Sequence, residues 1–191
     1  MPLSTPRARR HYHTRRVHCE GYLREDGLWD IEARLGDTKT YAFDNDERGR
    51  VEPGQLLHGM ALRLTLDDAM VIQGVEAAID HSPFDMCTDI TDHYHSLVGL
   101  TIKPGFTLRL KERVGGTRGC THLTELIGVM ATVAFQTIHG SGDRAVAEGR
   151  KAPPDDGGRP AHLGGCHALA SHSPVVALHW PQHFAGEAVE G

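Results

Sequence analysis

The sequence has no long hydrophobic run. Its longest nearly uncharged stretch, residues 120–142, still carries Glu125 and several polar side chains, so it does not read as a membrane span. Residues 1–16 are basic but lack the apolar core of a secretory signal, which makes a cytoplasmic location the expectation. Cysteine is scarce. Cys19, Cys87, Cys120 and Cys166 are too few and too scattered for a disulfide framework, and none has the tight paired spacing of a zinc finger. Internal repeats are absent, and so is a P-loop. Gly115-Gly116-Thr117-Arg118-Gly119 is glycine-rich ahead of a helical pattern, but it lacks the lysine and the spacing. Its free amides and Arg118 could at most contact an anion. Acid is missing from residues 1–16, which hold Arg7, Arg9, Arg10, Arg15 and Arg16 and leave the rest of the chain with 15 basic against 25 acidic residues. A nucleic-acid-binding body would itself be basic, so nucleic acid is not an expected partner, and the arm reads as a solvated terminus.

What is present fits one α+β domain. The chain has 191 residues, 39% hydrophobic and 24% charged, enough for a single well-cored unit. The first half has the period of antiparallel strands. Val17, Cys19 and Leu23 alternate with polar neighbours, Asp26-Gly27 supplies a hairpin turn, and Trp29, Ile31, Ala33 and Leu35 line one face of the return strand. A further strand is expected over 38–43, followed by a polar loop over 44–54. The second hairpin places His58, Met60, Leu62, Leu64 and Leu66 on one face, turns at Asp67-Asp68 and returns over 70–79.

The second half changes to helical spacing. A short helix is predicted over 91–98, capped by Asp89 or Thr91. A second carries Phe106, Leu110 and Val114 at four-residue intervals, with Pro104 in its first turn and Gly115-Gly116 at its end. The strongest begins near Thr121, with a stripe of Leu123, Leu126, Ile127, Met130, Ala134 and Ile138 that Val129, Val133 and Phe135 widen. The resulting division is a basic disordered arm over 1–12, an α+β core over 13–138, a mobile loop over 139–164, and a segment over 165–185 that packs back on the core.

The chemistry-bearing residues are sulfur and imidazole. Cys120 stands at the start of the strongest helix, where free backbone N–H groups and the helix dipole favour thiolate. His122 follows at a spacing that can turn both donors toward one point. Cys166-His167 opens the ordered tail, and Cys87 lies in a sheet-to-helix loop between Asp85 and Asp89. Together Cys120, His122, Cys166, His167 and Cys87 make a soft donor set suited to zinc or iron. Cys19 is expected in the core, and His58 is expected as a core or rim histidine.

Several motifs in order carry a resemblance: His13-Thr14-Arg15-Arg16, Gly27-Leu28-Trp29-Asp30-Ile31-Glu32-Ala33, Asp37-Thr38-Lys39, Arg118-Gly119-Cys120-Thr121-His122-Leu123 and Gly165-Cys166-His167-Ala168-Leu169. From about His13 to Trp180 the chain resembles a bacterial family of unknown function, found mainly in proteobacteria and actinobacteria, which implies no activity. The order of elements is also similar to U-type iron–sulfur scaffold proteins. That likeness implies ligand roles for Cys87 and Cys120, although Asp44-Asn45-Asp46 stands where a first-loop cysteine would be.

Three functional readings stand side by side. One is a metal-dependent enzyme acting on a small molecule, with Cys120 and His122 in the catalytic site. Another is a cysteine enzyme in which Cys120 attacks an acyl or thioester group, with His122 or His167 as base and Asp85 or Asp89 as orienter. The third is a non-enzymatic binding or accessory module. Oligomeric state is not legible.

Overall fold

The computed structural model describes residues 2–140, 148–149, 159–160 and 162–186. These fall into two compact units, Met1–Gly140 and Ser141–Gly191. The architecture is mixed α+β, with strands first and helices after them.

Four long strands, β1 (His13–Leu23), β2 (Trp29–Lys39), β5 (Leu56–Leu66) and β6 (Ile72–His81), form an antiparallel sheet in the order β1-β2-β5-β6. Alternation decides its faces. Trp29, Ile31, Ala33 and Leu35 on β2 and Met60, Leu62, Leu64 and Leu66 on β5 are all buried on one side. The first turn uses Gly27 at φ 86°, a left-handed position that suits glycine, while Asp26 Oδ1 accepts from the Leu28 amide.

Three strand details differ from the sequence reading. β2 does not break before residue 38 but runs through Lys39, and the expected polar loop contains a small hairpin of β3 (Phe43–Asn45) and β4 (Gly49–Val51). Its turn is held by Asn45 Oδ1, which accepts from the amides of Glu47 and Arg48. The second long hairpin turns over more residues than Asp67-Asp68. Asp67 Oδ1 accepts from the amides of Ala69 and Val71, Met70 adopts φ 63°, and β6 starts only at Ile72.

Residues Asp85–Leu97 form a 3-10 helix rather than an α-helix over 91–98, and neither Asp89 nor Thr91 caps it, since it begins after Phe84. Its two buried residues, Tyr94 and Leu97, are three apart, the spacing that three residues per turn brings onto one line. Helix α1 (Phe106–Val114) buries Phe106, Leu110 and Val114, with Gly105 rather than Pro104 at its entry. Helix α2 (Thr121–Gly140) buries Leu123, Leu126, Ile127, Met130, Ala134 and Ile138. Val129 does not widen that stripe; it is 43% exposed, because α2 covers one sheet face and keeps its other side in water. Contact with β1 is close: a Cβ on Gly21 would fall 2.2 Å from Thr137 Oγ1.

The second unit, Ser141–Gly191, has its own short helix. Its helix α3 (Pro174–His179) starts at Ser173, whose hydroxyl accepts from the Val176 amide and donates to the Ala168 carbonyl. Leu163 and Val176 are its buried apolar residues among those described. Most of the expected mobile loop over 139–164 lies outside the described residues.

Candidate metal centre

The buried stripe of β2 ends in a carboxylate. Asp37 continues the series Trp29, Ile31, Ala33, Leu35 by one more period-two step and is only 1% exposed. An ionised carboxylate cannot stay in that position without partners, and sheet register supplies them. Arg15 on β1 and His58 on β5 lie directly across from Asp37 on its two sides. Arg15 makes a forked contact, Nε to Oδ1 at 2.8 Å and Nη2 to Oδ2 at 2.7 Å. His58 Nδ1 lies 3.1 Å from Oδ2, and His13 Nε2 lies 3.3 Å from Oδ1.

The fourth side comes from α2. His122, in its first turn, points down onto the sheet end with Nε2 3.7 Å from Asp37 Oδ2. Its ring stacks on His58 with centroids 4.0 Å apart. Several contacts anchor this turn. The buried Tyr94 hydroxyl sits 2.9 Å from the Cys120 amide, the Cys120 carbonyl and Thr124 Oγ1 alike. Gly119 lets the chain pass this point, since a Cβ there would fall 2.1 Å from the Val114 carbonyl oxygen and 3.0 Å from the Tyr94 hydroxyl. The Arg-Gly-Cys-Thr-His sequence therefore reads as a device for seating a helix start on a phenol and aiming His122 at Asp37.

Electrostatics favour a cation here. Burial alone would raise the Asp37 carboxyl, but the Arg15 fork and charge, with His13 and His58 beside it, hold it below the ordinary carboxylate range. His58 is lowered by burial first and then by the neighbouring His122. For His122 the causes are burial and then the Arg15 guanidinium. Both imidazoles are thus neutral at pH 7, the form that ligates metal. Arg15 Nη1 also pairs with Glu125 Oε2 at 2.7 Å, so one guanidinium is shared between two carboxylates and the Asp37–Arg15–Glu125 group carries one net negative charge.

Among the described residues, Asp37, His58 and His122 form the one group of His, Cys, Asp or Glu donors close enough to share an ion, all within 4.8 Å of one another. Of the residues that the sequence singled out, His122 is in this group. Cys120 borders it, with Sγ 3.9 Å from His122 Nδ1. Cys87 is half-buried on the 3-10 helix, beside exposed Asp85 and Asp89. Cys166 and His167 are exposed residues of the second unit. Cys19 packs against the core, and Arg118 is bound to the Lys111 carbonyl.

Asp37, Arg15 and His13 were not singled out as site residues by sequence. The signal available was the alternation itself, which makes residue 37 an inward position as soon as β2 is extended by two residues. His58 sits at the head of the apolar face of β5, as its spacing predicts, but there it bonds a carboxylate.

No helix among the described residues is long and apolar enough to cross a membrane. No curated protein and no solved structure gave a match. One family model does match, over residues 13–136, a span that contains every residue of the Asp37 centre. The chain belongs to the family described as "Protein of unknown function (DUF2889)".

Proposed function

We propose that this chain is a metal protein whose ion is held by Asp37, His58 and His122, and that the ion acts on a small molecule. One observation carries the reading: a buried carboxylate oxygen has two imidazole nitrogens 3.1 and 3.7 Å away. Ligand atoms about 2.0–2.2 Å from an ion, at angles between octahedral and tetrahedral, stand roughly 2.9–3.4 Å apart. The His58 separation already lies in that range, and the His122 separation needs to close by only a few tenths of an ångström.

An entering ion would take the place of the proton that His58 now shares with Oδ2. Arg15 can keep its fork, because each carboxylate oxygen has two lone pairs. Two histidines and one carboxylate make the donor set of zinc hydrolases and of non-haem ferrous sites, so zinc or iron is the ion proposed. Three protein ligands leave a coordination position for water or a substrate atom, which is the arrangement of catalytic rather than structural centres. His13 and His122, at 44% and 22% side-chain exposure, mark the side from which a small molecule would approach.

Titrating the metal-free chain with Zn²⁺, and with Fe²⁺ under nitrogen, tests this. One tight site per chain is expected. Asp37→Asn or His58→Gln should weaken it by more than the ~10–100-fold that a merely supporting residue costs. Affinity untouched by both substitutions, or no uptake, overturns the reading.

A further inference from the structure

His122 has a second nitrogen, and it faces sulfur. Its Nδ1 lies 3.9 Å from Cys120 Sγ, and the same Sγ lies 3.9 Å from the thioether sulfur of Met60. Met60 is 3% exposed and follows His58 by one period-two step on β5. Cys120 comes from the start of α2, where the Tyr94 hydroxyl fixes its backbone on both the amide and the carbonyl. The sulfur, sulfur and nitrogen atoms thus come from two separately anchored elements, on the side of His122 away from Asp37.

We infer that Cys120, Met60 and His122 form a separate site for monovalent copper. Thiolate and thioether are soft, polarizable donors, and a neutral thioether adds little for zinc or ferrous iron while it suits Cu(I). Both separations from Cys120 Sγ agree, since donors ~2.3 Å from a metal and spread at ~120° stand about 4 Å apart. Binding replaces the thiol proton, which passes to solvent, and forms the copper–sulfur bond with no change in oxidation state. Copper on Nδ1 puts the imidazole proton on Nε2, facing Asp37, so the carboxylate orients the ring.

The single lone pair of a neutral imidazole gives this site a relation to the Asp37 centre. An ion on Nε2 and copper on Nδ1 cannot both bind unless the imidazole loses its remaining proton. The two sites therefore compete.

The test uses the full chain carrying Cys87→Ser and Cys166→Ser, so that other accessible thiols do not take up the ion. Cu(I) is supplied anaerobically against a coloured Cu(I) chelator. One equivalent is expected, and X-ray absorption should show two sulfur neighbours and one nitrogen. Met60→Leu, which keeps the core volume, should reduce the sulfur count to one and weaken binding by at least about tenfold. Cys120→Ser should weaken it further. His58→Gln separates the two proposals: it removes the divalent ion while Cu(I) binding persists. Absent uptake, a copper shell without two sulfurs, or affinity unchanged by Met60→Leu overturns the inference, whatever the divalent titration gives.

Discussion

At the scale of single residues, Asp37 is the centre on which the others depend. It is a buried charge held by one forked cation and by two imidazoles within hydrogen-bonding or ion-pairing distance. Asp37→Asn is expected to destabilise the fold by about 2 kcal/mol. That is less than the ~3–5 kcal/mol of a fully buried pair, because Arg15 is 34% exposed and retains Glu125. Urea denaturation of both metal-free chains measures the difference, and equal midpoints would contradict the account. Tyr94 plays a different part. Tyr94→Phe leaves the Cys120 amide without its acceptor, at a cost of roughly 1–3 kcal/mol. It should also loosen His122, visible as a weaker divalent site in a Zn²⁺ titration.

At the scale of elements, the contact between β1 and α2 is set by a missing side chain. Gly21→Ala should destabilise by about 1–3 kcal/mol, since its methyl would collide with Thr137. Adding Thr137→Ala, which removes Oγ1 and Cγ2, should restore most of that in thermal melts; no recovery would mean that the helix and strand are held apart by something else.

The same elements explain what was legible in the sequence. The pairing of both long hairpins and the six buried positions of α2 follow from period alone, because β2, β5 and α2 each have one wet face and one dry face. β1 does not, since Val17 and Leu23, which its alternation sets on one face with Cys19, are 42% and 43% exposed at the sheet edge. The β3–β4 hairpin did not, since three-residue strands carry no periodicity, and the 3-10 helix did not, since its polar residues look the same in either helical form. His122 was legible from its place after Cys120. Asp37 was not, because a lone acid at the end of an apolar series reads as the residue that ends a strand. Only the cross-strand pairing of Arg15, Asp37 and His58 shows that the strand goes on.

At the scale of the whole molecule, the centre shapes how the protein responds to acid. Folded His58 and His122 hold protons less well than an unfolded imidazole, which titrates near ~6.5. As pH falls through about 6.5 the unfolded chain takes up protons that the folded site resists, so stability drops. Asp37 acts in the same direction lower down. Its contribution is complete above roughly pH 4 and is lost as the folded carboxyl titrates below its ordinary ~3.9. Urea midpoints should therefore decline below pH 6.5, and the decline should flatten in the double variant His58→Gln, His122→Gln. A midpoint that rose between pH 7 and 5.5 would contradict the burial of neutral imidazoles.

Two of the three residues proposed to hold the divalent ion belong to β2 and β5, the inner strands of the sheet, and neither strand can leave the fold without dispersing them. Occupancy and unfolding would then be mutually exclusive, and the melting curve would gauge how tightly each ion is held. At one shared concentration, an ion present at a hundredfold excess over its dissociation constant would lift the transition by about 2.7 kcal/mol, or roughly 5–10 °C for a chain of this size, and a weaker-binding ion by less. A panel of ions compared at that concentration would rank the centre's affinities before any substrate is known.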